Sequence, residues 1–309
     1  MKIFWIVCLT ALIGVLLILA GYLLIGYVSF KISLSKNGKI KRTIGKNYQN
    51  HLKELGIDEK YFNTDFEKLE ISSSDNFVLK GFYKNNKSNK IVILVHGFGG
   101  NHKEMTPFAQ MFEKFGYDIL AIDSRCHGES DGEYLTMGWQ ESLDLILWAN
   151  KLVEINPQYK IVLFGLSMGA TTVCMTVGEK IPDNIVLAIE DCGYDNAYKQ
   201  FEYVYSKGKF RPKFVFDAFY NFTKKSIGFD LKKADAFSSL KHSKIPILFI
   251  HGSKDNFVPT ENLNSLSSQV SAQRRHVYIA EEGGHAEAYM INPKKYENEV
   301  SKFLKKYYM

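Results

Sequence analysis

Four segments hold residues of the types and spacing that covalent catalysis needs. Gly165-Leu166-Ser167-Met168-Gly169 follows an apolar run and opens a helix-like stretch. A serine on a tight strand-to-helix turn needs small neighbours, because a Cβ on either side would clash there. The helix N-terminus behind it offers N–H groups and positive potential to a developing oxyanion. Ser167 is thus the candidate nucleophile. By itself G-x-S-x-G is a weak signal, and an ordinary helix-capping serine is the competing reading. Its context makes it informative.

A nucleophilic serine needs a base, and the base needs an acid to orient it. His285 sits in Glu282-Gly283-Gly284-His285, just after the last apolar run. Of the eight histidines, it is the one that follows both Ser167 and an acid at a strand end. His251-Gly252-Ser253-Lys254-Asp255 follows another such run, and Val258-Pro259 closes its loop. Asp255 is the preferred acid. Asp191, at the end of the preceding run, is the rival. His96-Gly97-Phe98-Gly99-Gly100 reads as an oxyanion loop, pairing the backbone N–H of Phe98 with that of Met168. Gly97 and Gly99 also begin a dinucleotide fingerprint, but His102 occupies the third glycine position and the fingerprint fails. His96 and the turn Asp123-Ser124-Arg125-Cys126-His127-Gly128-Glu129-Ser130 are expected to be architectural. There is no H-E-x-x-H, no Walker loop and no C-x-x-C, so no metal and no cofactor is implied.

The elements that must position these residues alternate along the chain. Runs at 90–95, 117–122, 160–164, 184–189, 245–250 and 276–279 are apolar on both faces. Helix-like stretches at about 103–115, 138–154, 168–180, 260–271 and 294–308 separate or follow them. That alternation predicts an α/β fold with a parallel sheet covered on both sides. Alternating segments 68–72 and 77–83 suit an edge hairpin. About 50 residues, 192–244, interrupt the rhythm and are about a quarter aromatic. They read either as a helical excursion with its own small core or as a lid lining an apolar pocket.

Residues 3–30 carry no charge, longer than the roughly 20 residues a membrane-spanning helix needs. Trp5, Tyr22 and Tyr27 suit interfacial anchoring. A cleaved signal peptide is the rival, but its apolar core would be about 7–15 residues long. The expected organisation is a transmembrane anchor over 1–30, a basic juxtamembrane linker over 31–66 and a catalytic domain over 67–309. Removal of 1–46 is expected to leave a soluble, active protein. The net charge of +6 is no nucleic-acid footprint. Residues 1–46 contain seven Lys and Arg and no acid, so the remainder is nearly neutral. Six of those bases follow the helix, which slightly favours the cytoplasmic face over the opposite orientation, in which the short tail with Lys2 stays inside; either way the basic stretch is expected to rest against anionic lipid headgroups. The unpaired thiols mildly favour the same side.

Together, the order Ser167, Asp255, His285, the HGFGG loop and the D-S-R-C-H-G-E-S turn resemble the α/β-hydrolase family over about residues 67–309. Ile189-Glu190-Asp191-Cys192-Gly193-Tyr194 and Gly284-His285-Ala286-Glu287-Ala288-Tyr289 make the resemblance closer to bacterial, membrane-anchored members. The resemblance implies an eight-stranded, mostly parallel sheet, a helical lid, and cofactor-free hydrolysis of esters, thioesters or amides. Cys126 departs from it, since relatives often carry a small residue or glycine there. Ser167 argues against the dehalogenases and epoxide hydrolases of the family, whose nucleophile is aspartate. The expected function is a membrane-anchored carboxylesterase or lipase-like enzyme acting on a small-molecule acyl ester. A serine peptidase, an acyltransferase and a non-catalytic scaffold are the alternatives.

Overall fold

The protein is described by a computed structural model, which covers residues 1–40, 52–53, 56–57, 60–209 and 212–308. Lys41, Arg42 and Lys46 of the basic segment, and Phe210 of the insert, lie outside the described residues.

Eight strands form one sheet: β1 (Glu67–Ser72), β2 (Val78–Lys84), β3 (Lys90–Val95), β4 (Asp118–Asp123), β5 (Lys160–Leu166), β6 (Ile185–Asp191), β7 (Ile247–Gly252) and β8 (Arg275–Ala280). Their order is β1-β2-β4-β3-β5-β6-β7-β8. β1 pairs antiparallel with β2, and β2 with β4. Every later pair is parallel. The edge hairpin and the buried parallel strands therefore form as the periodicity predicts.

The side-chain alternation of the central strands builds two cores. Ile91, Ile93, Val95, Leu120, Ile122, Ile161 and Leu163 face one side. They pack with Trp148 and Leu152 of the helix Trp139–Ile155 and with Val173 of the helix Met168–Thr176. Val92, Leu94, Ile119, Ala121, Val162 and Phe164 face the other. There they meet Phe108 and Phe112 of the helix Thr106–Lys114, and Tyr296 and Val300 of the helix Pro293–Tyr308. Strands covered on both faces have no solvent side, which is why they read as continuous apolar runs.

The N-terminal helix spans Lys2–Ser33, three residues beyond the expected end of the anchor. Among the described residues it is the one helix long and apolar enough to cross a membrane. The tether expectation needs correction. Phe30 and Leu34 are 4% and 0% exposed and belong to the first core. Leu135 N–H donates to Leu34 O, Lys36 N–H donates to Glu133 O, and Ser35 bridges Tyr134. Deleting 1–46 would open a core and strip backbone groups of their partners, at a cost beyond loss of an anchor. Hydropathy alone hid this, because a residue that enters lipid and one that enters a protein core look alike in a sequence.

The insert forms the helices Ala197–Lys207 and Lys213–Ser226 and a short helix Ala236–Leu240. Its aromatics pack edge-on or tilted against one another: Tyr198 on Phe216 and Tyr220 at 5.4 and 4.9 Å, Phe201 on Phe219 at 5.3 Å, and Tyr205 on Phe216 at 5.5 Å. They make a local core and, on the inner side, the wall of a cavity.

Candidate active site

The Ser167 turn is shaped by its glycines. A Cβ at Gly165 would overlap the backbone of Gly169 and Ala170, and one at Gly169 would overlap the carbonyl oxygens of Val95 and His96. Only then can the helix Met168–Thr176 start hard against β3 and β5. Ser167 itself is held at φ 55°, ψ −114°. That region is costly for an L-residue and recurs where a fold aims a functional side chain. Ser167 N–H donates to Asp191 O at 2.8 Å, which fixes the turn to the end of β6.

Three of the expected side chains come together here. Ser167 Oγ lies 2.8 Å from His285 Nε2. His285 Nδ1–H donates to Asp255 Oδ2 at 2.7 Å. The other oxygen, Asp255 Oδ1, accepts from the N–H groups of Phe257 and Val258 at 2.9 and 2.8 Å. The loops that carry acid and base touch at Gly252, where a Cβ would overlap the carbonyls of Gly283 and Gly284. Phe257 packs against the imidazole, with ring centroids 4.9 Å apart.

Asp191, the rival acid, is held elsewhere. Its Oδ2 accepts from Tyr296 O–H at 2.8 Å. Burial pushes its carboxyl up to about 6, against that hydrogen bond. Asp255 goes the other way. Burial would raise it, but hydrogen bonds from His251 and His285 overcome this and hold its carboxyl well below the usual range. The two carboxyls at neighbouring strand ends are thus shifted in opposite directions, Asp255 toward the charged form that an orienting acid needs and Asp191 toward the neutral form.

Sequence reasoning passed over two groups. His251 lies on the far side of Asp255, with Nε2 3.3 Å from Oδ2 and donating to Val258 O at 2.9 Å. Its pKa is raised: the hydrogen bond to Asp255 and the nearby Glu190 outweigh burial, which would lower it. Glu190 is fully buried. Burial pushes it up to about 8. Its Oε2 accepts from Gly193 N–H at 2.9 Å, while Oε1 has no hydrogen-bond partner among the described residues. Both stood in quoted motifs. What identifies them is a position on buried strand ends, which a linear pattern does not report.

The glycine loop after β3 passes beside Ser167. A Cβ at Gly97 would stand 3.4 Å from that of Ser167. Phe98 lines the same cavity as Ser167, and Met168 is the first residue of its helix, so its N–H has no intrahelical acceptor. The turn after β4 braces the loop, as expected of architecture. His96 accepts from Ser124 N–H on Nε2 at 3.1 Å and therefore donates from Nδ1 to Gly97 O at 2.8 Å. His127 Nε2 accepts from Gly99 N–H at 3.1 Å. Asp123 Oδ1 accepts from His102 N–H at 2.7 Å. Cys126, the departure noted in the sequence, is buried at φ 67° within this turn.

Above Ser167 is a cavity of about 300 Å³. Its described lining is apolar apart from Ser29, Ser33, Ser167, Gln200 and the two tyrosines Tyr194 and Tyr205, and contains no acid or base. Phe201, Phe216 and Phe219 of the insert form one wall, and Met137 and Phe257 contribute from the sheet side.

Known proteins agree with this frame. The family model described as serine aminopeptidase, S33, matches residues 86–190. The Bacillus subtilis protein YqkD is 27% identical over 251 residues, covering 77% of this chain and 81% of that protein. An esterase from Pyrococcus furiosus superposes with a TM-score of 0.66 at 24% identity, covering 81% of this chain and 94% of that one. The acylaminoacyl peptidase of Pyrococcus horikoshii superposes with a TM-score of 0.55 at 17% identity, over 79% of this chain but 42% of that protein. Sharing that sheet over about four fifths of its length with such proteins, the chain has the α/β-hydrolase fold.

Proposed function

We propose that the protein is a membrane-anchored serine hydrolase that cleaves carboxylic esters with lipophilic acyl chains. The observation that carries this reading is the line Ser167–His285–Asp255, at 2.8 and 2.7 Å, at the floor of an apolar cavity. His285 Nε2 takes the Ser167 proton as Oγ attacks the ester carbonyl. Asp255 keeps the other imidazole proton on Nδ1 and stabilises the imidazolium. The N–H groups of Phe98 and Met168 stabilise the oxyanion. The alcohol leaves with the proton held on His285, and water activated by the same imidazole releases the acyl group. An acyltransferase would differ only in the second acceptor.

The apolar lining favours esters over peptides. An aminopeptidase needs an acid to hold the substrate amine, and the described cavity lining has none. The neighbouring polar cleft contains Asp195, Asp255 and Glu261: Lys199 lies 3.0 Å from Asp195, His285 holds Asp255, and Glu261 lines that cleft and not the cavity over Ser167. For the membrane reading, the uncharged face of the N-terminal helix and the basic residues that follow favour a single-pass anchor with the domain on the cytoplasmic side.

The test is a fluorophosphonate probe on wild type and Ser167→Ala, with nitrophenyl esters of graded chain length beside aminoacyl nitroanilides. Ser167-dependent labelling with ester turnover supports the reading. Labelling of the variant at the wild-type rate moves the nucleophile elsewhere, and turnover of the anilides alone makes it a peptidase.

A further inference from the structure

The cavity above Ser167 has one wall that does not come from the catalytic domain. Ser29, Ile32 and Ser33 of the N-terminal helix, and Ile40 just beyond it, line it opposite the insert. The helix is seated there by a close crossing. At Gly26 a Cβ would stand 2.5 Å from Ala218 O and 2.7 Å from Phe222 Cβ, so only glycine lets this helix touch the helix Lys213–Ser226. Asn221 Nδ2–H donates to Tyr22 Oη at 2.8 Å, and Tyr27 and Phe30 pack on Phe222 with centroids 5.7 and 5.8 Å apart.

Helix length fixes where the membrane lies. Lys2 to Gly21 rises about 30 Å, the thickness of the hydrocarbon. From Tyr22 onward the helix is against the insert. Ser29 and Ser33 then stand roughly 12–18 Å past that boundary, just beyond a headgroup layer of roughly 5–8 Å. The rim on this side is apolar and open: Ile32, Ile40 and Val204 line the cavity and are each about two fifths exposed. The insert beside it is basic, with eleven Lys and Arg against five Asp and Glu over 192–244, so the near-neutral domain carries a local excess of positive charge there. A basic surface there suits anionic headgroups.

We infer that the N-terminal helix is a wall of the acyl site as well as an anchor, and that the substrate is an acyl-ester amphiphile drawn directly from the bilayer. Its chain slides out of the bilayer over Ile32, Ile40 and Val204 and brings the ester to Ser167. The inference rests on the serine-hydrolase reading above, and Ser167 labelling tests that reading separately.

The experiment uses the full chain in phosphatidylcholine–phosphatidylglycerol vesicles, with nitrophenyl palmitate dissolved in the bilayer and nitrophenyl butyrate in the water. Gly26→Leu should displace the helix from the insert. With two or three methylenes losing their contacts, palmitate kcat/KM should fall roughly ten- to hundredfold relative to butyrate. Gly14→Leu, where an added Cβ meets nothing within 4 Å, should leave the palmitate-to-butyrate ratio at the wild-type value. Ile32→Asp, a charge on an exposed rim position, should lower the ratio without a core to disrupt. The inference is overturned if both Gly26→Leu and Ile32→Asp keep the wild-type ratio while Ser167 still labels. It is also overturned if wild type takes the palmitate ester from a soluble albumin carrier as fast as from its own vesicle. Failure of wild type to label at Ser167 would instead strike the hydrolase reading.

Discussion

The floor and the roof of the cavity are built on opposite principles. The floor is polar and buried. Ser167, His285, Asp255 and His251 sit at the ends of three strands, β5, β7 and β8, each side chain fixed by a named partner. The roof is apolar and made of rings packed edge-on or tilted and of helix contacts. A polar site in low dielectric must be complete, because each unmet group costs its full desolvation. An apolar wall is additive and forgiving, because its energy scales with area. Changes in the floor should therefore be all-or-none on chemistry, and changes in the roof graded on substrate.

The largest break is Ser167→Ala. Turnover should fall on the order of 10⁶-fold, with thermal unfolding unchanged and the fluorophosphonate label lost. Full labelling of the variant would disconnect the floor from the chemistry. Next is Asp255→Asn, which should cost on the order of 10⁴ in turnover by reversing the histidine tautomer preference. Asp191→Asn should cost far less, since its carboxyl is held by Tyr296. Steady-state kinetics of the pair decide it, and the reverse ranking would move the orienting acid to β6.

The roof should respond by degrees. In wild type each added methylene should raise kcat/KM by up to about fourfold until the cavity is full, from about 0.8 kcal/mol per CH₂. Phe216→Ala with Phe219→Ala should flatten that series while labelling of Ser167 persists. An unchanged series in a folded variant would return these rings to a purely local core.

The smallest effect concerns Glu190, beneath the floor. Burial pushes its folded pKa up to about 8, well above that of an unfolded glutamate. Between those values the folded state holds the extra proton, so this group's contribution to stability falls as pH rises through the window. Glu190→Gln should gain on wild type from pH 5 to pH 9, on a scale of about 2–4 °C of Tm per kcal/mol. Melting curves across that range that stay parallel would mean Glu190 does not titrate there.

Most of the floor was legible in the linear pattern and much of the roof was not. Tight turns need glycine at set positions, and buried parallel strands need unbroken apolar runs. Gly165, Gly169 and Gly252 are local constraints of that kind, and they marked Ser167 and Asp255 before any contact was seen. The part played by residues 26–36 depended on contacts with residues some hundred or more positions away: Ala218, Phe222 and Glu133–Leu135. Nothing local distinguishes Gly26, set in a helix crossing, from Gly14, which meets nothing.

By itself, then, the sequence determined the alternation of strand and helix, the order of the sheet-end loops and the candidacy of Ser167, Asp255 and His285. Each of these follows from short-range sterics or from periodicity, which a chain carries wherever it goes. Only the tertiary structure decided between Asp255 and Asp191 as partner of His285, placed His251 and Glu190 beneath them, and turned the end of the N-terminal helix into a cavity wall. Those outcomes depend on which distant surfaces come within about 4 Å, and on the desolvation that follows, and both are properties of the packed chain.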